Sequence, residues 1–173
     1  MPAFFLIFPF FAVRFLLPPL LDKTALRRAA HFAPMRGAET IAYILYQLST
    51  LGIFLPLLVT KVPLAPSWSF FAGLFCYLCG LVLCAASVIG FSSPDGGGLR
   101  TGGVYRFSRN PMYLSYFICF LGMALLAQSP LVLGAVLLFQ GSAHWIILAE
   151  ERWCITAFGS DYQRYMQCVR RYF

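Results

Sequence analysis

Five apolar stretches, each long enough to cross a lipid bilayer, constrain this chain more than any other feature. A helix needs about 20 residues to span the hydrocarbon core. The stretches run from about Ala3 to Leu21, from Thr40 to Thr60, from Ser67 to Phe91, from Pro111 to near Gln128 and from Pro130 to Ala149. Lipid offers no hydrogen bonds to an open backbone, so the spans are expected to be helices packed as an all-α polytopic bundle. Composition agrees: 60% of the 173 residues are apolar and 11% are charged, against about 45–50% and about 25% in soluble domains. Those figures exclude a disordered chain, an ordinary soluble domain and a disulfide-stapled secreted module. The length suits one membrane domain, residues 1–173, with three spans in 1–91 and the chemistry-bearing region in 92–173.

The scarce charges carry the next layer of information. Thirteen basic and six acidic residues leave a net charge of +7. In a soluble protein that excess would suggest nucleic acid; in a polytopic chain it is a topological signal, and no nucleic-acid partner is expected. Lys23, Arg27, Arg28 and Arg36 sit in the first loop, and Arg100, Arg106 and Arg109 in the third. Arg152, Arg164, Arg170 and Arg171 follow the last span, while the second loop holds only Lys61. This alternation predicts an N-terminus outside and a C-terminus in the cytosol. All six acidic residues, including Asp95, fall on the same predicted cytosolic side. Arg14 interrupts the first span, where it is expected to snorkel or to face the bundle. Pro9, Pro18 and Pro19 are expected to kink or end that helix. The interruption and the lack of a basic start make the span a poor signal peptide.

Spans four and five are joined by Gln128-Ser129, with Pro130 suited to a first helical turn, so they are expected to form an antiparallel hairpin. The third loop is much longer, residues 92–110, and loops of that length are often functional. Beyond the last span, Ile155, Phe158, Tyr162, Tyr165, Val169 and Tyr172 recur at helical spacing. Gly159 is expected to break this tail, and Ser160 with Gln163 has the spacing of a capping box that restarts it. The tail reads either as an amphipathic helix on the inner leaflet or as a helix folding over a site.

Some motifs lead nowhere. Cys76 and Cys79 form a C-x-x-C inside a span with no further ligands nearby, so no metal is expected. Gly96, Gly98 and Gly102 approach a dinucleotide fingerprint, but Thr101 occupies the third glycine's place and no βαβ unit surrounds them. Gly102 and Gly103 belong either to a flexible loop or to a backbone that approaches a ligand closely. Asn110-Pro111 reads as a helix start, with Asn at the N-cap and Pro in the first position. A helix N-terminus also attracts anions, and Arg106 and Arg109 precede it. Gln140, His144 and Glu151 share one helical stripe, which should face the bundle or a wet cavity. A carboxylate there suits a ligand with an amino or sulfonium charge.

In order along the chain stand Gly103-Val104-Tyr105-Arg106, then Ser108-Arg109-Asn110-Pro111-Met112-Tyr113, then an apolar hairpin. Glu150-Glu151-Arg152, Phe158-Gly159, Tyr162, Tyr165 and Val169-Arg170-Arg171-Tyr172 complete the series. This series resembles the isoprenylcysteine carboxyl methyltransferase and phospholipid methyltransferase superfamily, whose members are membrane enzymes that use S-adenosylmethionine. The resemblance covers roughly residues 96–173. Asn110 stands where the family pattern has His; Asn hydrogen-bonds a ligand but carries no charge.

By position, the resemblance implies cofactor contacts at Gly103, Val104, Tyr105, Arg109, Asn110, Pro111, Tyr113, Glu150 and Glu151, with His144 on the same stripe as Glu151. It implies methyl transfer to a lipophilic acceptor, prenylated or phospholipid, entering sideways from the bilayer. Glu151 is the candidate to orient the cofactor amine, to orient Arg152 and the tail arginines, or to take a proton, and Arg106, Arg152 or Arg170 the candidate to hold an anionic acceptor. Two other readings stand beside it: an NADPH-dependent membrane reductase of the sterol reductase type, and a non-enzymatic membrane scaffold with a degenerate site. Gly73 and Gly80 lie on one helical stripe that could support close packing within or between chains.

Overall fold

The computed structural model describes residues 1–25, 32–92 and 98–172. Arg27, Arg28, Asp95 and Gly96 lie outside the described residues. Within them the chain is helical, with one isolated bridge pairing Pro2 and Lys61. The helices are α1 (Ala3–Leu21), α2 (Ala38–Val59), α3 (Trp68–Ser92), α4 (Pro111–Ala127) and α5 (Pro130–Cys168). Helices α1, α2, α3 and α5 are long and apolar enough to cross a membrane. Helix α4 has 17 residues, at the short end of the spanning range of about 17–25.

Pro9, Pro18 and Pro19 do not interrupt α1 as expected. The helix changes register instead: 3-10 over Ala3–Leu6, α over Ile7–Phe11, π over Ala12–Leu16 and α again over Leu17–Leu21. Pro18 and Pro19 lack the N–H groups that would serve the carbonyls of Arg14 and Phe15. The π turn absorbs this loss, with the Leu17 N–H donating to the Ala12 carbonyl.

Helix α5 departs further from the sequence reading. Its apolar run ends at Ala149, yet the helix continues through Glu150, Glu151 and Arg152 to Cys168. Charged residues with partners are good helix formers, so nothing stops the helix at the end of its apolar run. Gly159 bends it with non-helical angles (φ 54°, ψ −127°), a region only glycine enters readily. Gly159 therefore breaks the tail in two as expected: α5 runs on past its apolar stretch to Phe158, and a second helical piece follows from Ser160 to Cys168.

Helix α4 forms the middle of the bundle and packs most closely on α3, while α5 packs on α2. Small residues permit the α3–α4 crossing. A Cβ at Gly80 would lie 2.4 Å from the Cys119 nitrogen, and one at Gly122 would lie 2.3 Å from the Tyr77 nitrogen. Gly73 meets Leu126 in the same crossing, so the predicted glycine stripe works within the chain. Phe10, Tyr46, Phe54, Phe120 and Phe139 fill the junction of α1, α2, α4 and α5, with ring centroids 4.6–6.1 Å apart between neighbours. The edge-to-face contacts of Phe120 with Phe10, Phe54 and Phe139 add to simple burial.

The expected hairpin is present. Gln128 takes the left-handed conformation (φ 48°) after α4, and the Ser129 hydroxyl accepts from the Val132 N–H at the start of α5. At the same end, the N-terminal ammonium donates to the Val62 carbonyl and the Val62 N–H to the Met1 carbonyl. Lys61 and the N-terminus therefore share one end of the bundle. The third loop, the end of α5 and the start of α2 meet at the other.

Candidate functional site

The second end of the bundle gathers most of the charged and polar groups that the sequence singled out. Helix α4 begins there with Pro111, whose fixed φ suits a first helical position. Asn110 holds the N-cap position but makes no capping hydrogen bond, contrary to the expectation. Its Nδ2 donates instead to the Arg171 carbonyl at 3.3 Å. The Ser108 hydroxyl donates to the same carbonyl at 3.2 Å, and the Arg109 N–H to the Arg170 carbonyl at 3.0 Å. The chain after α5 is thereby stitched to the segment before α4.

Glu151 is buried beneath this stitch, and two arginines compensate it. Arg109 Nη2 lies 2.9 Å from one oxygen and Arg171 Nη2 lies 2.8 Å from the other. Arg171 Nε donates to both oxygens at 3.1 Å. The Arg109 and Glu151 side chains are 7% and 5% exposed, and Arg109 also donates to the Met166 carbonyl at 3.3 Å. A carboxylate this deep requires such partners. The hydrogen bond to Glu151 raises the pKa of the Arg171 guanidinium above its ordinary value.

Glu150, one residue earlier, faces α4. Tyr113 donates its hydroxyl to Glu150 Oε1 at 2.7 Å. His144, two turns back along α5, shares a 2.7 Å hydrogen bond between Nδ1 and the Tyr172 hydroxyl. Burial pushes the Tyr172 phenol above its ordinary range. The polar stripe on α5 therefore meets the tail at two of its three members, and Gln140 Oε1 is buried without a hydrogen-bond partner among the described residues.

Not every candidate joins this cluster. Arg152 points to α2, where its guanidinium grips both Glu39 oxygens at 2.6 and 2.7 Å and the Pro34 carbonyl at 3.2 Å. Arg106 is exposed on a groove of about 880 Å³ that Asp161 and Arg164 also line. Gly103 (φ 60°) opens a 3-10 turn, Gly103–Arg106, in open space. Val104 within that turn is half-buried. Tyr105 is buried against Gly90, its hydroxyl 3.4 Å from the Ser87 carbonyl. The Tyr165 hydroxyl donates to the Tyr105 carbonyl. Tyr162 and Tyr165 are buried, so the tail folds over the loop. Sequence reasoning offered the tail arginines as a group to Glu151 without singling out Arg171, and placed Tyr172 on the tail's apolar face without a partner. Both lie 20 or more residues from the groups they hold, beyond any helical spacing rule.

A family model for phospholipid methyltransferases matches residues 68–161, more than half of the chain. The chain belongs to the phospholipid methyltransferase family. The family region starts with α3, earlier than the motif-bearing half that carried the resemblance, and stops at Asp161. It contains Arg109, Asn110, Tyr113, His144, Glu150 and Glu151, while Arg171 and Tyr172 complete the cluster from outside it. No curated protein and no solved structure matches the chain.

Proposed function

We propose that this protein is an integral membrane methyltransferase that uses S-adenosylmethionine to methylate a lipophilic acceptor. The observation that carries the reading is the convergence, at the start of α4, of the Tyr113–Glu150 pair and of Arg109 and Glu151 from the family region with Arg171 from the tail beyond it. The groups present fit the cofactor's chemistry. Two guanidinium groups on one carboxylate leave a net positive charge beside a helix N-terminus, which suits the cofactor's carboxylate. Glu150 supplies an opposite charge for its ammonium or sulfonium.

Bound there, the cofactor supplies an electrophilic methyl group, which leaves its sulfonium sulfur as an acceptor lone pair bonds to the methyl carbon. The protein's own task is mainly alignment, and good alignment is worth several kcal/mol. Arg109 and Asn110 would hold the cofactor from the α4 side, with Gly103, Val104 and Tyr105 forming the wall of the loop. Both Glu151 oxygens are engaged by arginines, so Glu151 acts by positioning Arg109 and Arg171. Glu150, held by one hydroxyl, is the carboxylate suited to take a proton from an amine acceptor. The tail residues Arg171 and Tyr172 cover the cluster and would exclude water. The acceptor, a phospholipid amine or a prenylated cysteine, enters between helices from the bilayer, and the site faces the cytosol, where the cofactor is found.

Membranes containing the protein should transfer label from methyl-labelled S-adenosylmethionine. Label in extractable lipid, in protein or in a volatile product distinguishes the acceptor classes. Family membership favours this reading over an NADPH reductase and over a scaffold. Binding of NADPH but not of S-adenosylhomocysteine to the purified chain would reverse that order.

A further inference from the structure

Helix α1 lies outside the family region, yet it carries a cation into the bundle. Arg14 is the single charged residue of Ala3–Leu21. Charges inside a span are costly and mark function more often than packing. The helix widens to a π turn over Ala12–Leu16, centred on this residue, and π turns concentrate at functional sites. Arg14 does not snorkel along the helix to its end. Its guanidinium carbon lies 5.8 Å from the centroid of the Tyr116 ring on α4.

Tyr116 is the second, independent observation. It is 6% exposed, packed between Phe10 and Phe120. Its hydroxyl is fully buried with no hydrogen-bond partner among the described residues. Buried hydroxyls almost always find a partner, so an unmet one invites explanation by a ligand. One helical turn along α4, the Tyr113 ring lies 6.3 Å away, and its hydroxyl holds Glu150. The Arg14–Tyr116 layer thus sits about 4.5 Å along the helix axis from the layer of the proposed site, on the side toward the bundle's middle.

We propose that Arg14 and Tyr116 bind the oxyanion of the methyl acceptor, a carboxylate or phosphate attached to a long apolar chain. The inference rests on the methyl-transfer reading above. A guanidinium and a phenolic O–H are both donors, and they suit an anion that enters from lipid without water. The acceptor's chain would remain among the apolar helices while its reacting atom, the second oxygen of the held carboxylate or the amine beyond the held phosphate, turns toward the Glu150 layer. A carboxylate and a phosphate present the same chemistry here, so the test must separate them.

The test uses the full chain in detergent and two matched pairs of probes. One pair is an S-prenylated N-acetylcysteine and its neutral amide; the other is phosphatidylethanolamine and diacylglycerol with the same acyl chains. The wild-type chain should bind the charged member of one pair at least tenfold more tightly than the neutral member, and that pair identifies the acceptor class. Arg14→Gln should weaken the charged probe at least tenfold and the neutral probe less than twofold. Arg14→Lys should retain part of the preference. Tyr116→Phe should weaken the charged probe about threefold without lowering the melting temperature, which a purely structural role would not produce. If Arg14→Gln fails to fold, the Lys and Phe variants decide by the same ratios. Equal binding of charged and neutral probes to the wild type, or an unchanged preference in the variants, overturns the inference. Binding of S-adenosylhomocysteine, measured in parallel, should be the same in wild type and Arg14→Gln. Its absence in the wild type overturns the methyl-transfer reading, and the acceptor role of Arg14 falls with it even if an anionic-lipid preference persists.

Discussion

Glu151 and Glu150 are neighbours with opposite environments. The first has two arginines on it and the second has one tyrosine hydroxyl. Replacing Glu151 with Gln leaves Arg109 buried without its counter-charge, a change that costs about 3–5 kcal/mol in comparable sites. Thermal unfolding in detergent should therefore move to lower temperature in Glu151→Gln, and S-adenosylhomocysteine binding should weaken at least tenfold. Tyr113→Phe separates binding from folding. It removes one hydrogen bond, about 1 kcal/mol of stability, and should weaken S-adenosylhomocysteine binding by about tenfold as read by calorimetry. Binding unchanged in Tyr113→Phe would remove the Glu150 pair from the site. The sequence singled out Glu150, Glu151, Arg109, Asn110 and Tyr113 because they recur in an ordered motif. It offered Glu151 the tail arginines but could not choose Arg171 among them, since that contact depends on the break at Gly159 and on the stitch between residues 108–110 and 170–171.

The helices were legible to different degrees. Runs of apolar residues located all five helix starts and four of the ends within a few positions, because burial in lipid demands continuous apolar surface. The extent of α5 was not legible, since hydrophobicity ends at Ala149 while helix geometry does not. The α3–α4 crossing makes a sharper test of the fold. Gly122→Ala places a methyl 2.3 Å from backbone at Tyr77, and overpacking of this kind costs about 1–3 kcal/mol. Gly134 has nothing within 4 Å of the corresponding position, so Gly134→Ala should be neutral or stabilising by up to about 1 kcal/mol. A detergent melt comparing the two variants should show a loss only for Gly122→Ala.

Across the whole molecule, the two ends differ in chemistry. The N-terminus and Lys61 meet at one end, and the arginines and carboxylates of the proposed site meet at the other. Basic loops favour the cytosolic side, and the proposed orientation puts the site end there. Cys168 is an exposed thiol at that end. A membrane-impermeant maleimide should label it only from the cytosolic face, and Lys61→Cys only from the opposite face. The reverse pattern would overturn the orientation and deprive the site of a cytosolic cofactor.

By itself, the sequence determined a helical membrane protein, the approximate place of each span and the segregation of its charges. These follow from local rules: apolar length, loop charge and the order of motif residues. The tertiary structure decided which charges compensate one another, that Arg152 belongs with Glu39 rather than with Glu151, and that Arg14 faces Tyr116 inside the bundle. Those pairings join residues 20 to more than 100 positions apart. Chain proximity does not encode such contacts; they arise when packed helices bring distant side chains into one buried space.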